Sequence, residues 1–237
     1  MEKGAAFKEF FFKSLRQRLN GNREDRGDEE RMRNDEALKS VEDRVGGFFM
    51  TSLQAKSKMK KYLKEHFIKY QEDTDDGVSR YTMLYEGCDC CPDKVLEACI
   101  WFYQDLMECR VYYNINGQQW CRESKNRDDL LKLLNFINER LWVSMDDGEG
   151  GALYSPNYLY TSRFYVTEDF DIVMTTMIPY DFYEVAPLET EDYVTGACPD
   201  VLEMLSAHIF CVLLGEMSAE QAIMRVKTEI LGEREYV

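Results

Sequence analysis

Asn126-Arg-Asp-Asp-Leu-Leu-Lys-Leu-Leu-Asn-Phe-Ile-Asn-Glu-Arg-Leu-Trp142 is the stretch on which the reading of the fold turns. Leu130, Leu133, Leu134, Ile137 and Leu141 recur at spacings of three and four, which sets them on one stripe of an α-helix. Asn126 is placed to be the N-cap, because its side-chain oxygen can accept one of the unpaired first-turn N–H groups. Asp128 and Asp129 sit where carboxylates favour the positive end of the helix dipole. Text of hairpin character flanks this segment on both sides, so the helix is expected to cross a sheet.

Upstream of it the period is two. Val78 to Glu86 is β-branched and aromatic, as a strand requires. Leu96, Ala98, Ile100 and Phe102 alternate with Glu97, Cys99, Trp101 and Tyr103, and Met107, Cys109, Val111 and Tyr113 alternate with Glu108, Arg110 and Tyr112. Gln104-Asp105 is the expected turn between these two strands. Gln71 to Gly77 reads as an acidic connection and residues 87–93 as a loop. Asn116-Gly117 reads as a type I′ turn, since both residues tolerate positive φ, with a short extended piece around Trp120. Downstream, residues 157–166 and 170–178 form a hairpin with Glu168-Asp169 at its tip. Pro179 and Pro187 bracket an irregular aromatic segment. Asp192 to Leu231 is helical again, ending one helix at Gly215 and opening another at the capping box Ser218-Ala-Glu-Gln221. The fold class is α+β, an antiparallel sheet flanked by helices in the order α-β-β-β-α-β-β-α-α.

The first 50 residues differ from the rest. Residues 1–60 carry a net charge of +3 and the remaining 177 a net of −18, out of −15 for the chain. Residues 5–19 read as a short amphipathic helix whose apolar residues include Phe7, Phe10, Phe11, Phe12 and Leu15. Polar text from Asn20 to Asn34 separates them from the body. The division is therefore a helical N-terminal arm and linker at 1–50 and an α+β domain at 51–237. The phenylalanines are the candidate partner-binding residues, docking on a second subunit or in a groove. Membrane contact through the arm is the lesser alternative.

Composition narrows the function classes. A net charge of −15 argues against nucleic acid, which needs clustered Lys and Arg. No uninterrupted apolar run reaches the 18–20 residues of a membrane span, and Phe10-Phe11-Phe12 is far short of a signal h-region. The expected location is cytoplasmic, with the eight cysteines reduced. Cys88, Cys90 and Cys91 cluster in one loop and are the candidate metal ligands. A zinc site would need a fourth ligand, from Cys99, Cys121, Cys198 or His66. Free thiols are the preferred reading, with no metal and no cofactor. The two histidines, His66 and His208, neighbour no nucleophile motif. Gly46-Gly47 and Gly150-Gly151 lack the Lys-Ser or Lys-Thr of a phosphate-binding loop. No enzyme activity is expected.

The order of elements, the spacing Asn135-x-x-Asn138 within Leu130-Leu-Lys-Leu-Leu-Asn-Phe-Ile-Asn138, and the 157–178 hairpin together resemble the YbjN family over roughly residues 60–231. That resemblance implies a fold like that of type III secretion chaperones. It also implies a non-enzymatic, protein-binding or chaperone-like regulatory module, homodimeric and taking protein partners. The Cys-rich loop and the first 50 residues fall outside the family pattern. Two alternatives stand beside it: a Cys-dependent metal or redox-switch protein, and an immunity-type protein whose acidic face neutralises a basic toxin.

Overall fold

The structure is a computed structural model and describes residues 50–141, 145–146, 152–153 and 162–232. The arm with its phenylalanines, apart from Met50, lies outside the described residues, as do residues 157–161 of the expected hairpin and most of the acidic loop 146–151. Helix α1 (Ser52–Glu65) opens on a capping box, in which the Thr51 side chain accepts from Gln54 N–H and the Gln54 side chain from Thr51 N–H. It buries Ala55, Met59, Tyr62 and Leu63. Phe67, just past the helix end, has positive φ and is 91% exposed.

Strand β1 (Gln71–Asp75) pairs with β2 (Val78–Glu86) through a two-residue turn. Asp76 and Gly77 have φ of 47° and 79°, the positive pair that a type I′ turn requires. This corrects the reading of Gln71–Gly77 as a connection. The strand is polar on both faces because it forms a sheet edge, so it carries no alternation to recognise. Strands β3 (Val95–Phe102) and β4 (Leu106–Tyr113) complete a four-stranded meander around the expected Gln104-Asp105 turn.

Asn116-Gly117 does not turn the chain. Both residues lie in α2 (Ile115–Glu123), whose N-cap Asn114 accepts from Ile115 N–H. The glycine is there for close approach: a Cβ on it would lie 2.4 Å from Tyr113 Cβ. Helix α3 (Arg127–Arg140) then buries Leu130, Leu133, Leu134 and Ile137, as its period predicts. Asn126 occupies the N-cap position but makes no side-chain cap bond; its amide instead donates to Leu213 O.

Two-residue strands β5 (Met145–Asp146) and β6 (Ala152–Leu153) pair with each other. Strands β7 (Ser162–Val166) and β8 (Ile172–Pro179) form the expected hairpin. Strand β8 joins the meander beside β4, and the main sheet runs β1-β2-β3-β4-β8-β7, antiparallel throughout. Helix α3 does not cross this sheet. It lies along edge strand β7 and against the C-terminal helices. There the Asn138 side chain donates to Phe164 O and accepts from Phe164 N, both at 2.8 Å. One amide thus satisfies both outward-facing backbone groups of an edge residue.

The aromatic segment after Pro179 is helical too, as α4 (Tyr180–Val185). Helix α5 (Pro187–Asp192) continues through a π-helical turn at Tyr193–Ala197 into α6 (Cys198–Leu213). By length and composition the stretch Pro187–Leu213 could cross a membrane, but 61% of its apolar window is buried against the rest of the protein. Counting uninterrupted apolar residues passes over it because Asp200 and Glu203 fall inside. Gly215, at positive φ, ends α6, and the Ser218–Gln221 capping box opens α7 (Ala219–Arg225) as expected. Helix α6 is the hub of the core, touching β3, β4, α3 and α7.

Candidate functional site

Sheet pleating sorts the residues into two faces. Tyr81, Met83, Leu96, Ala98, Ile100, Met107, Val111, Met174 and Ile178 point to the inner face and are buried. Hydrogen bonds tie that face to the helices: Tyr81 to Lys56 O, Tyr85 to Thr195 O and Tyr113 to Leu202 O. The opposite face carries three cross-strand rows. One is Asp73, Arg80, Trp101, Glu108 and Met177; the next is Thr82, Cys99, Arg110, Thr175 and Arg163; the third is Leu84, Glu97, Tyr112, Val173 and Tyr165.

At the centre of the outer face the Trp101 ring takes the Arg80 guanidinium at 5.4 Å and that of Arg110 at 4.8 Å from its centroid. Each such cation–π contact is worth about 0.5–2 kcal/mol, more as water is excluded. Both arginines are held in place by carboxylates. Arg80 forks onto Asp73 with two 2.8 Å bonds. Arg110 forks onto Glu108 at 2.8 and 3.0 Å. The Trp101 indole N–H donates to Asp75 at 3.0 Å. These carboxylate bonds hold both guanidinium groups more firmly protonated than usual.

Glu108 is buried, and a buried carboxylate is costly unless fully bonded. It is: Tyr103 and Thr175 hydroxyls donate to it at 3.1 and 3.0 Å, in addition to Arg110. Tyr112 donates to Glu97 at 2.6 Å. Burial raises the pKa of the Tyr112 and Tyr103 hydroxyls and the Cys99 thiol, so all three stay protonated donors at neutral pH. The result is a rigid, mixed-charge aromatic platform, with Leu84 57% and Met177 53% exposed on it. The one thiol on it, Cys99, donates to Glu97 at 3.5 Å and is held protonated by burial.

Of the residues expected to act, Cys88 and Cys91 are buried and Cys90 is exposed in the loop between β2 and β3. Cys99 lies on the outer face and Cys198 at the start of α6; neither joins the loop as a fourth ligand. Among the described residues no group of three or more His, Cys, Asp or Glu side chains could hold a metal ion. His66 stacks on the Tyr62 ring at 4.1 Å, and His208 Nε2 lies 3.1 Å from Glu229. A surface groove of about 520 Å³ beside α7 is lined by Glu216, Met217, Glu220, Gln221, Met224 and Arg225, five of them exposed. The platform of Arg80, Trp101, Glu108, Arg110 and Thr175 was not anticipated, because it exists only once three strand registers are fixed. No family model, curated protein or solved structure matches the chain.

Proposed function

We propose that this chain is a non-catalytic, cytoplasmic protein-binding module of chaperone-like kind. It works as a homodimer that pairs through the outer sheet face. One observation carries the reading: Tyr, Arg and Met side chains arranged around the buried Trp101 ring on a face away from the helix layer, with two large apolar side chains, Leu84 and Met177, more than half exposed. Those residue types are the ones enriched where protein interfaces bind most tightly. The face carries both signs of charge, in Arg80, Arg110 and Arg163 against Asp73, Asp75 and Glu97, so a two-fold axis can set unlike charges opposite each other. The remainder of the body is strongly acidic, which repels a second copy elsewhere. The resemblance to the YbjN family points the same way.

The test is the mass of the full chain by light scattering at micromolar concentration, for the wild type and for the double variant Leu84→Glu/Met177→Glu. Both positions are exposed, so the fold should persist, as far-UV circular dichroism will check. A dimer for the wild type and a monomer for the variant is the expected result. A monomeric wild type, or a variant that still dimerises, overturns the reading.

A further inference from the structure

The loop between β2 and β3 places two of its three cysteines as a pair. Cys91 N–H donates to Cys88 O at 2.9 Å, the i to i+3 bond of a β-turn, which holds the two Cα atoms within about 7 Å. A disulfide needs a Cα separation of about 4.4–6.8 Å. Both side chains turn inward, at 5% and 6% exposure, and their thiols lie within interaction range of each other. Cys90, between them, points outward. The turn is clamped from both sides. Gly87 and Cys88 N–H groups donate to Lys94 O at 3.0 and 3.2 Å. Asp93 and Lys94 are held at φ of 60° and 56°, a strained conformation for residues with a Cβ. The Asp93 carboxylate that fixes it accepts from the Asn116 backbone N–H at 3.1 Å and from the Asn116 side-chain amide.

We infer that Cys88 and Cys91 form a reversible intraloop disulfide, a redox modification site whose co-reactant is a low-molecular-weight disulfide such as oxidised glutathione. One cysteine, as its thiolate, attacks a sulfur of the oxidant, breaks its S–S bond and releases half of it as a thiol. The thiolate of the second cysteine then displaces the other half from the mixed disulfide. Two protons and two electrons pass from the protein to the two released thiols, and one S–S bond replaces another. The turn brings the two cysteines close to the spacing the bond requires.

The consequence reaches the core. Cys91 Sγ lies 3.1 Å from Ser206 Oγ, which donates to Leu202 O on α6, and Tyr113 Oη lies 3.0 Å away on β4. Cys88 S–H donates to Tyr85 O at 3.4 Å. A disulfide has no S–H, so oxidation takes away the Cys88 donor and any proton shared between Cys91 and Ser206, loosening the loop from α6. Burial also raises the pKa of both thiols, that of Cys91 to about 12, so the exchange is slow at neutral pH and faster in mild alkali.

The test uses the full chain equilibrated in glutathione buffers from fully reduced to fully oxidised, acid-quenched, alkylated and mapped by mass spectrometry. A Cys88–Cys91 cross-link is expected, reversed by reductant, retained in Cys90→Ser and lost in Cys88→Ser and Cys91→Ser. Two outcomes overturn the proposal from the wild-type measurement alone. One is that both thiols remain alkylatable after equilibration at the oxidised end; the other is that Cys90 carries the only modification or cross-link. Because the wild type decides, failure of a serine variant to fold leaves the test intact. Failure of the dimer reading leaves it untouched.

Discussion

Replacing Asn138 by Ala removes the two hydrogen bonds that close the outer backbone of β7, and the cost can be worked from the geometry. Both bonds are 2.8 Å long and end on one residue, Phe164. A typical protein hydrogen bond contributes about 0.5–1.5 kcal/mol net, so the pair is worth about 1–3 kcal/mol. Phe164 faces Met174 across the β7–β8 pair, and its N–H and C=O point away from β8, toward α3. In the alanine variant those groups must find water or another strand. The assay is urea unfolding followed by circular dichroism, joined to amide hydrogen exchange at Phe164. We expect a loss of about 1–3 kcal/mol and loss of protection at that amide. Asn138→Asp keeps the acceptor for Phe164 N–H but sets a carboxylate against Phe164 C=O. It should be at least as damaging at pH 7 and milder below the ordinary aspartate pKa of about 3.9. If the alanine variant is as stable as wild type and Phe164 keeps its protection, the amide is not what closes this edge.

Leu134→Ala and Ile137→Ala should each cost about 2–5 kcal/mol, since both side chains are buried, while Lys132→Ala on the exposed face should change little; equal effects at all three in urea unfolding would take α3 out of the core. Gly117→Ala gains about 1 kcal/mol of helix propensity but drives a Cβ to 2.4 Å from Tyr113 Cβ. With overpacking costing about 1–3 kcal/mol or more, thermal unfolding should show net destabilisation; a more stable variant would refute the close approach. Glu191 is buried, accepts from Tyr183 at 2.6 Å, and also faces Lys58, Asp192 and His66; burial raises its pKa. A carboxyl with a raised folded pKa loses stability as pH climbs from the unfolded value, about 4.3, through the folded one. Glu191→Gln should therefore match wild type at pH 4 and melt higher at pH 7, and a lower melting point at pH 7 would show that the ionised form is the stabilised one.

Much of the fold was legible where one physical signal acted alone. Strands β2, β3, β4 and β8 declare their period because one face is packed on helices. Helix α7 declares its start through the Ser218 capping box. The misses come where a residue type serves two purposes. Gly117 has the neighbour expected of a turn but is needed for contact with Tyr113. Strand β1 is polar on both sides, and only Asp76-Gly77 marks it. Asn126 is the N-cap as expected, but its side chain makes no cap bond because its amide is drawn to Leu213 O, a tertiary partner that local text cannot reveal. The outer platform was half visible: Glu97, Cys99, Trp101 and Tyr103 were recognised as the second face of β3, but their meeting with Arg80, Arg110 and Thr175 depends on pairing across strands.

Strand order has a kinetic consequence. Among themselves strands β1 to β4 pair only with sequence neighbours, and β7 and β8 pair with each other, so two local units can form early. They are joined along a single seam, β4 against β8, where Glu108 meets Thr175 across 67 positions of chain. Closing that seam carries the largest loop entropy in the sheet. It is expected to be the late event in folding and, in the native protein, the line along which the sheet first parts. The buried Glu108 sits on this line with Thr175 as one of its donors. Separation would hydrate a carboxylate that the closed sheet keeps dry, so the opened state is less penalised than a parted apolar seam. A ribosome releasing this chain exposes the β4 edge, unpaired, for the whole time needed to synthesise α2, α3 and the β7–β8 hairpin. During that interval the nascent meander is a template for any passing strand, including the β8 of another copy.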